Sequence, residues 1–168
     1  YLVEVYMNTR SYEAALKSIE RIAKPSAQIM EAKQKILFQL GTQSFANTNF
    51  EQALQYLNQS IAIGQYNRQT KADAYYWCGE SYYRLNRMME AARDFNAYLQ
   101  LTTQPNNEMY ALANYNLGYI AFHRKDYTQA SNYFQKYIQL EKGENRTALA
   151  DAYNRIGDCH LNAVSYTH

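Results

Sequence analysis

Residues 111–137 read ALANYNLGYIAFHRKDYTQASNYFQKY. The stretch divides into two apolar-periodic halves joined at Arg124-Lys125-Asp126. In the first half Leu112, Tyr115, Tyr119 and Phe122 recur at helical spacing, as do Leu117, Ile120 and Ala121. In the second, Tyr127, Ala130, Tyr133, Phe134, Tyr137 and Ile138 do the same, so the pattern predicts two short amphipathic helices folded back on each other. Neither helix can bury its apolar stripe alone, and the cover must come from elsewhere in the chain.

Working outward, the same unit recurs. Gly41, Gly79, Gly118 and Gly157 follow one another at intervals of 38, 39 and 39 residues, and Ala15, Ala53, Ala91 and Ala130 keep the same step. Between the two series a bulky residue returns at Tyr12, Phe50, Met88, Tyr127 and Tyr166. Ser11, Asn49, Asp126 and Ser165 precede it, and each is a good N-cap whose side-chain oxygen can accept from the free N–H groups of the next helix. Arg87 is the exception. A fixed period between about 20 and 50 residues is the signature of a stacked helical solenoid.

The markers Gly79-x2-Tyr82…Ala91-x3-Phe95 resemble the tetratricopeptide repeat, as do Gly118…Ala130-x3-Phe134 and Leu40-Gly41…Ala53-x3-Leu57. The chain departs from that pattern in three ways. Leu37, Tyr75, Asn114 and Tyr153 stand where the family has Trp, the terminal Pro is absent, and the period exceeds the usual ~34 residues. The resemblance implies an all-α, right-handed solenoid of antiparallel helix pairs, a superhelix. Read this way the chain is a single repeat domain over 1–168. It has a partial repeat at 1–25, repeats at about 26–65, 70–104 and 107–142, and a partial repeat at 147–168. Tyr1 and the stop at His168 just inside a repeat give the expectation of a piece of a longer repeat protein.

Helix by helix, the sequence predicts a helix tail at 1–7, a turn at Asn8-Thr9-Arg10-Ser11, and helices at 12–23, 26–46 and 50–63, with Gly64 as a stop. Helices follow at about 72–85 and 88–101, then the two halves of 111–137 on either side of Arg124-Lys125-Asp126, and a last one at 147–162 before another begins at Tyr166. The recurring Gly and Ala are packing markers. Two helices approach closely where one side chain is absent, so each Gly is expected opposite the Ala of its partner helix.

Bulk properties exclude several classes. A net charge of +2, from 17 basic and 15 acidic residues, gives no electrostatic reason to expect a nucleic-acid partner. No apolar run approaches 18 residues, so no membrane span is expected. Two cysteines build no disulfide framework. The 18 tyrosines suit half-buried helix surfaces, where the ring packs while the hydroxyl stays wet.

In the family the first helix of each pair lines a concave groove, and the resemblance selects the positions that would face it. They are Lys35, Phe38, Thr42 and Phe45; Asp73, Tyr76, Glu80 and Tyr83; Leu112, Tyr115, Tyr119 and Phe122; and Asp151, Asn154 and Asp158. Two aromatic ladders emerge, Phe38-Tyr76-Tyr115 and Phe45-Tyr83-Phe122, flanked by Asp73, Glu80, Asp151 and Asp158. Rings at one-repeat intervals can hold apolar side chains of an extended or helical peptide, and the carboxylates favour Lys or Arg on it. The other reading is that the rings pack on neighbouring helices and complete the solenoid. Grooves of the family that clamp a terminal carboxylate use Lys and Asn at these places, and this chain has aromatic and acidic residues there instead.

Catalytic signals are weak. Cys159-His160 are helix neighbours pointing about 100° apart, which is no nucleophile–base pair. Cys78 replaces a consensus Leu and reads as a buried thiol. Asp151, Asp158 and His160 do not share one face, and no phosphate-loop or metalloprotease motif is present. The expectation is a non-enzyme without metal or cofactor: a module binding a protein or peptide segment of apolar and basic character. The alternative is a spacer or self-assembly element of a longer repeat protein, with self-association. Ala152-Tyr-Asn-Arg-Ile-Gly-Asp-Cys159 resembles a repeat opening in long bacterial tetratricopeptide proteins, some of the cell envelope. The compartment, bacterial cytoplasm or periplasm, stays open at this point.

Overall fold

The computed structural model describes residues 2–105 and 107–167, and the side chains of 9–105 and 107–164. Among the described residues the chain is all-α: α1 (Leu2–Glu20), α2 (Ala27–Ala46), α3 (Phe50–Ala62), α4 (Arg68–Arg84), α5 (Met88–Leu101), α6 (Glu108–His123), α7 (Tyr127–Leu140) and α8 (Arg146–Thr167). A single 3₁₀ turn spans Gly64–Tyr66. These helices form two compact units, Tyr1–Thr103 and Gln104–His168. In the first, α2 pairs with α3 and α4 with α5, while α3 packs on α4 and α1 on α2. In the second, α6 pairs with α7 and α7 packs on α8.

The turn inside each pair is built the same way three times. The N–H of Asn49 reaches the carbonyl of Ser44 at 2.9 Å and that of Thr48 reaches Phe45 at 2.9 Å. Arg87 and Asn86 repeat the two bonds to Tyr82 and Tyr83, as do Asp126 and Lys125 to Ala121 and Phe122. This is a Schellman C-cap, in which two otherwise orphaned carbonyls are satisfied by the turn. The middle residue must be left-handed, and Thr48, Asn86 and Lys125 have φ of 60°, 60° and 63°. None is glycine; Asn86 is a type that enters this region readily, whereas Thr48 and Lys125 each carry strain on the order of 1–2 kcal/mol. The residue after it then caps the second helix: Asn49 Oδ1 accepts from the N–H of Gln52 and Asp126 Oδ1 from that of Gln129, both at 3.2 Å. Arg87 makes no side-chain cap. First helices are capped by Ser26, Asn67, Asn107 and Asn145.

The differences from the sequence expectation that alter the element plan lie at three places. α1 runs unbroken through Asn8-Thr9-Arg10-Ser11; none of these is Gly or Pro, and each costs a helix interior at most ~0.7 kcal/mol. α4 begins four residues earlier than 72, because Asn67 caps it. α8 continues without a break to Thr167, so no new helix starts at Tyr166.

The glycines also seat a different residue than expected. A Cβ on Gly118 would lie 2.8 Å from Phe134 Cε1, one on Gly79 2.8 Å from Phe95 Cδ1, and one on Gly41 2.6 Å from Leu57 Cγ. The missing side chain therefore makes room for the large residue four positions after the alanine, not for the alanine itself. Ala53, Ala91 and Ala130 are fully buried beside these contacts, as are Leu57, Phe95 and Phe134. The physical reason is direction: an alanine lets the two backbones approach, and the next residue on that face, one turn on, then projects across the gap.

Candidate functional site

In the first unit the first-helix face belongs to α2 and α4. Phe38, Phe45, Asp73, Glu80 and Tyr83 are all half-buried there. The Phe45 ring stands edge-on to Phe50 of its own pair at 5.2 Å and to Trp77 of α4 at 5.0 Å, with the Arg84 guanidinium 5.4 Å from its centroid. Trp77 is therefore the α4 ring that meets Phe45. Tyr76 is a core residue, 3% exposed, with its ring against Phe95 at 5.7 Å and Tyr98 at 5.3 Å. Its face of α4 turns toward α5 rather than outward, and its hydroxyl donates to Glu80 at 3.1 Å. Asp73 accepts from Gln69 at 2.7 Å, and burial raises its carboxyl above the usual range. Burial, with Glu80 nearby, also raises the Tyr83 phenol.

The second unit places five predicted groove residues, Tyr115, Tyr119, Phe122, Asp151 and Asp158, in one cluster. Tyr115 and Tyr119 of α6 pack edge-on at 5.2 Å, and both hydroxyls donate to the Asp151 carboxylate of α8, that of Tyr115 at 2.6 Å. Tyr119 leans on Phe134 at 5.2 Å and Tyr115 on Tyr137 at 4.8 Å. Phe122 stands against Tyr127 at 5.6 Å. Arg155 completes the group. It pairs with Asp158 at 3.0 Å and Asp151 at 3.7 Å, and its guanidinium lies 6.0 Å from the Phe122 centroid. The acidic flank anticipated in α8 is thus answered within the chain. The sequence carried that signal, since Arg155 sits at i+4 from Asp151 and three before Asp158, where helix neighbours meet. Trp77 could have been found as the one tryptophan, adjacent to a predicted groove ring.

Beside this cluster a cavity of about 430 Å³ opens between the start of α6 and the end of α7, lined by Leu112, Leu140 and Tyr137 with Glu108 and Glu141. Leu112, one of the predicted groove positions, is therefore on its wall. Lys35 and Asn154 are exposed and Thr42 is half-buried. Cys78 and Cys159 are free and buried, and burial raises both thiols above their usual range. No described helix is long and apolar enough to cross a membrane.

Burial, then the Asp151 contact, raises both phenols, Tyr119 to about 12. The ordinary phenol value is 10.0. The folded state therefore holds this proton where the unfolded chain has lost it, and stability present below about pH 10 is lost as pH rises toward about 12. Thermal midpoints measured across that interval should fall, and Tyr119→Phe should make the fall shallower. An unchanged slope in the variant would contradict the assignment.

Models of the tetratricopeptide repeat match residues 38–108 and, in a second family model of the same description, residues 111–143. No curated protein matches the chain. Among solved structures, BtubC (BKLC) from P. vanneervenii superposes with a TM-score of 0.72 at 13% identity, over 98% of this chain and 68% of that one. MamA superposes at 0.68 and 21% identity over 94% and 81%. The nearly identical TPR-like repeats of a putative kinesin light chain from Podosopora anserina superpose at 0.61 and 12% over 98% and 84%. At these identities the likeness is one of fold.

Proposed function

Because the chain belongs to the tetratricopeptide repeat family, we propose that it is a protein-interaction module that holds a peptide or protein segment against the first-helix faces of its pairs. Repeats of this kind generally mediate protein–protein interaction or scaffolding, and proteins built from them are generally non-enzymatic. The observation that carries the finer reading is the strip of half-buried rings on α2 and α4: Phe38, Phe45, Trp77 and Tyr83 each keep part of their surface in solvent. Such rings are rigid anchors that lose little entropy on binding. Asp73 and Glu80 favour a basic residue on the ligand beside its apolar anchors. In the second unit Asp151 and Asp158 already share Arg155, so that unit offers ring surface and the cavity beside Leu112 more than net negative charge.

The internal packing of Phe45 on Trp77 favours a second reading, in which the rings stabilise a spacer. A peptide-display selection on the chain separates the two. The binding reading expects enriched peptides with spaced apolar anchors and at least one Lys or Arg. It also expects affinity to fall about tenfold or more in Phe38→Ala/Tyr83→Ala, with helicity by circular dichroism unchanged. No enrichment over a control selection, or binding indifferent to both substitutions, would leave the spacer.

A further inference from the structure

In the pairs α4/α5 and α6/α7 the start of the first helix meets the end of the second, and the two pairs treat that edge differently. In α4/α5 side chains bridge it. Arg68 Nε donates to the carbonyl of Leu101 at 3.0 Å, the Gln69 amide donates to Thr102 Oγ1 at 3.2 Å, and Gln69 Oε1 accepts from the N–H of Thr103 at 2.8 Å. A step of 39 residues, that of Gly79 to Gly118, carries Arg68, Gln69 and Thr102 onto Asn107, Glu108 and Glu141. The guanidinium is gone, and two carboxylates stand where an amide bonded a hydroxyl. Like charges do not bridge, and at this edge the cavity of about 430 Å³ opens.

Its lining is apolar and acidic together. Ala111 and Tyr137 on it are buried, while Leu112 and Leu140 are half-buried. Glu141 is held in place, accepting from the Tyr137 hydroxyl at 3.2 Å and from the N–H of Glu144 at 3.2 Å. Among the described residues neither Glu108 nor Glu141 makes an ion pair. The carboxylates of Glu108, Glu141 and Glu144 stand against the single ammonium of Lys142, a net formal charge of −2 on the lining. The N-termini of α6 and α8 add roughly +0.5 each and the end of α7 roughly −0.5, so the cavity stays negative. Its volume lies within the ~300–1,000 Å³ of small-ligand sites.

We propose that this cavity binds an organic cation, a primary ammonium or guanidinium carried on a short apolar body. The charged head bridges Glu108 and Glu141, as Arg68 and Gln69 bridge the ends of α4 and α5, and the apolar body lies against Leu112 and Leu140. Binding thus closes the edge that the chain closes by itself one pair earlier. Two sources present this chemistry, a free amine and a Lys or Arg side chain of a bound segment; the second rests on the peptide-binding reading above. The site uses none of the rings of α2 and α4, so its failure would leave that reading untouched.

Calorimetric titration of the 168-residue chain at neutral pH tests it with three probes of similar shape: phenethylamine, a cation; 2-phenylethanol, which is neutral; and phenylacetate, an anion. The cation should bind about tenfold or more tighter than the neutral probe, and the anion should not bind. Glu108→Gln and Glu141→Gln should each weaken the cation about tenfold, with helicity by circular dichroism unchanged, and leave the neutral probe as it was. The comparison among probes needs no variant and stands should either substitution reduce helicity. Acetyl-Leu-Lys-amide and acetyl-Leu-Arg-amide decide the source: binding tighter than that of phenethylamine assigns the cavity to a side chain of a bound segment, and weaker binding assigns it to a free amine. If neither phenethylamine nor the dipeptides bind at millimolar concentration, the proposal is overturned. A neutral probe that binds as well as the cation, or cation binding indifferent to both Glu substitutions, would overturn it too.

Discussion

Phe134→Ala is expected to lower stability by about 3–5 kcal/mol, the range for truncating a fully buried aromatic residue. The ring is 0% exposed, fills the seat over Gly118, and takes the edges of Tyr119 at 5.2 Å and Tyr115 at 5.9 Å. Removing it leaves a hole between α6 and α7 that glycine cannot fill. The tyrosines that hold Asp151 would lose the surface they lean on, so the damage reaches α8. Urea unfolding followed by circular dichroism should show the loss. A change below about 1 kcal/mol, the size of an ordinary surface substitution effect, would mean the seat is not a principal packing contact.

Asp151→Ala should cost about 1.5–3 kcal/mol, the range for hydrogen bonds to a charged group. One carboxylate oxygen accepts from both Tyr115 and Tyr119, and the other lies 3.7 Å from Arg155. Two half-buried hydroxyls lose their acceptor at once. The side chain is 31% exposed, so water relieves part of the penalty and holds the effect to that range. The variant should also weaken the alkaline dependence assigned to Tyr119, of which burial maintains a part. Asp151→Asn, which retains an acceptor oxygen without the charge, should recover part of the stability. Equal loss in both variants would show that charge, not the hydroxyl contacts, dominates there.

The repeat was legible because its markers are local and recur together. Gly, Ala and the large residue four positions later keep one register through three pairs, and the caps at Asn49 and Asp126 follow from residue type alone. What a register cannot convey is which side chain crosses the gap. From spacing, Gly118 could face Ala130 or Phe134, and only the approach of the two backbones selects the ring. The left-handed residues at Thr48 and Lys125 were equally hidden, since neither is a residue type that favours that conformation. At the candidate site, one step of about 100° on α4 separates Tyr76, turned into the core, from Trp77, turned toward Phe45. A helical period with a few residues of latitude could not choose between them. α1 shows the opposite limit: a turn placed on four polar residues dissolved, because nothing in them breaks a helix.

The central structural claim is that the repeating glycine exists to seat a large side chain from the partner helix. The paired substitutions Gly118→Ala and Gly157→Ala, measured by thermal and urea unfolding of the full chain, test it most directly. In a helix interior alanine is favoured over glycine by ~1 kcal/mol, so Gly157→Ala, whose Cβ meets nothing, should be stabilising by up to that amount. At Gly118 the same methyl group would sit 2.8 Å from a buried ring, and the overpacking should outweigh that gain, for a net loss of about 1–2 kcal/mol. Opposite signs at two positions of identical register are the predicted result; the same sign at both would contradict it.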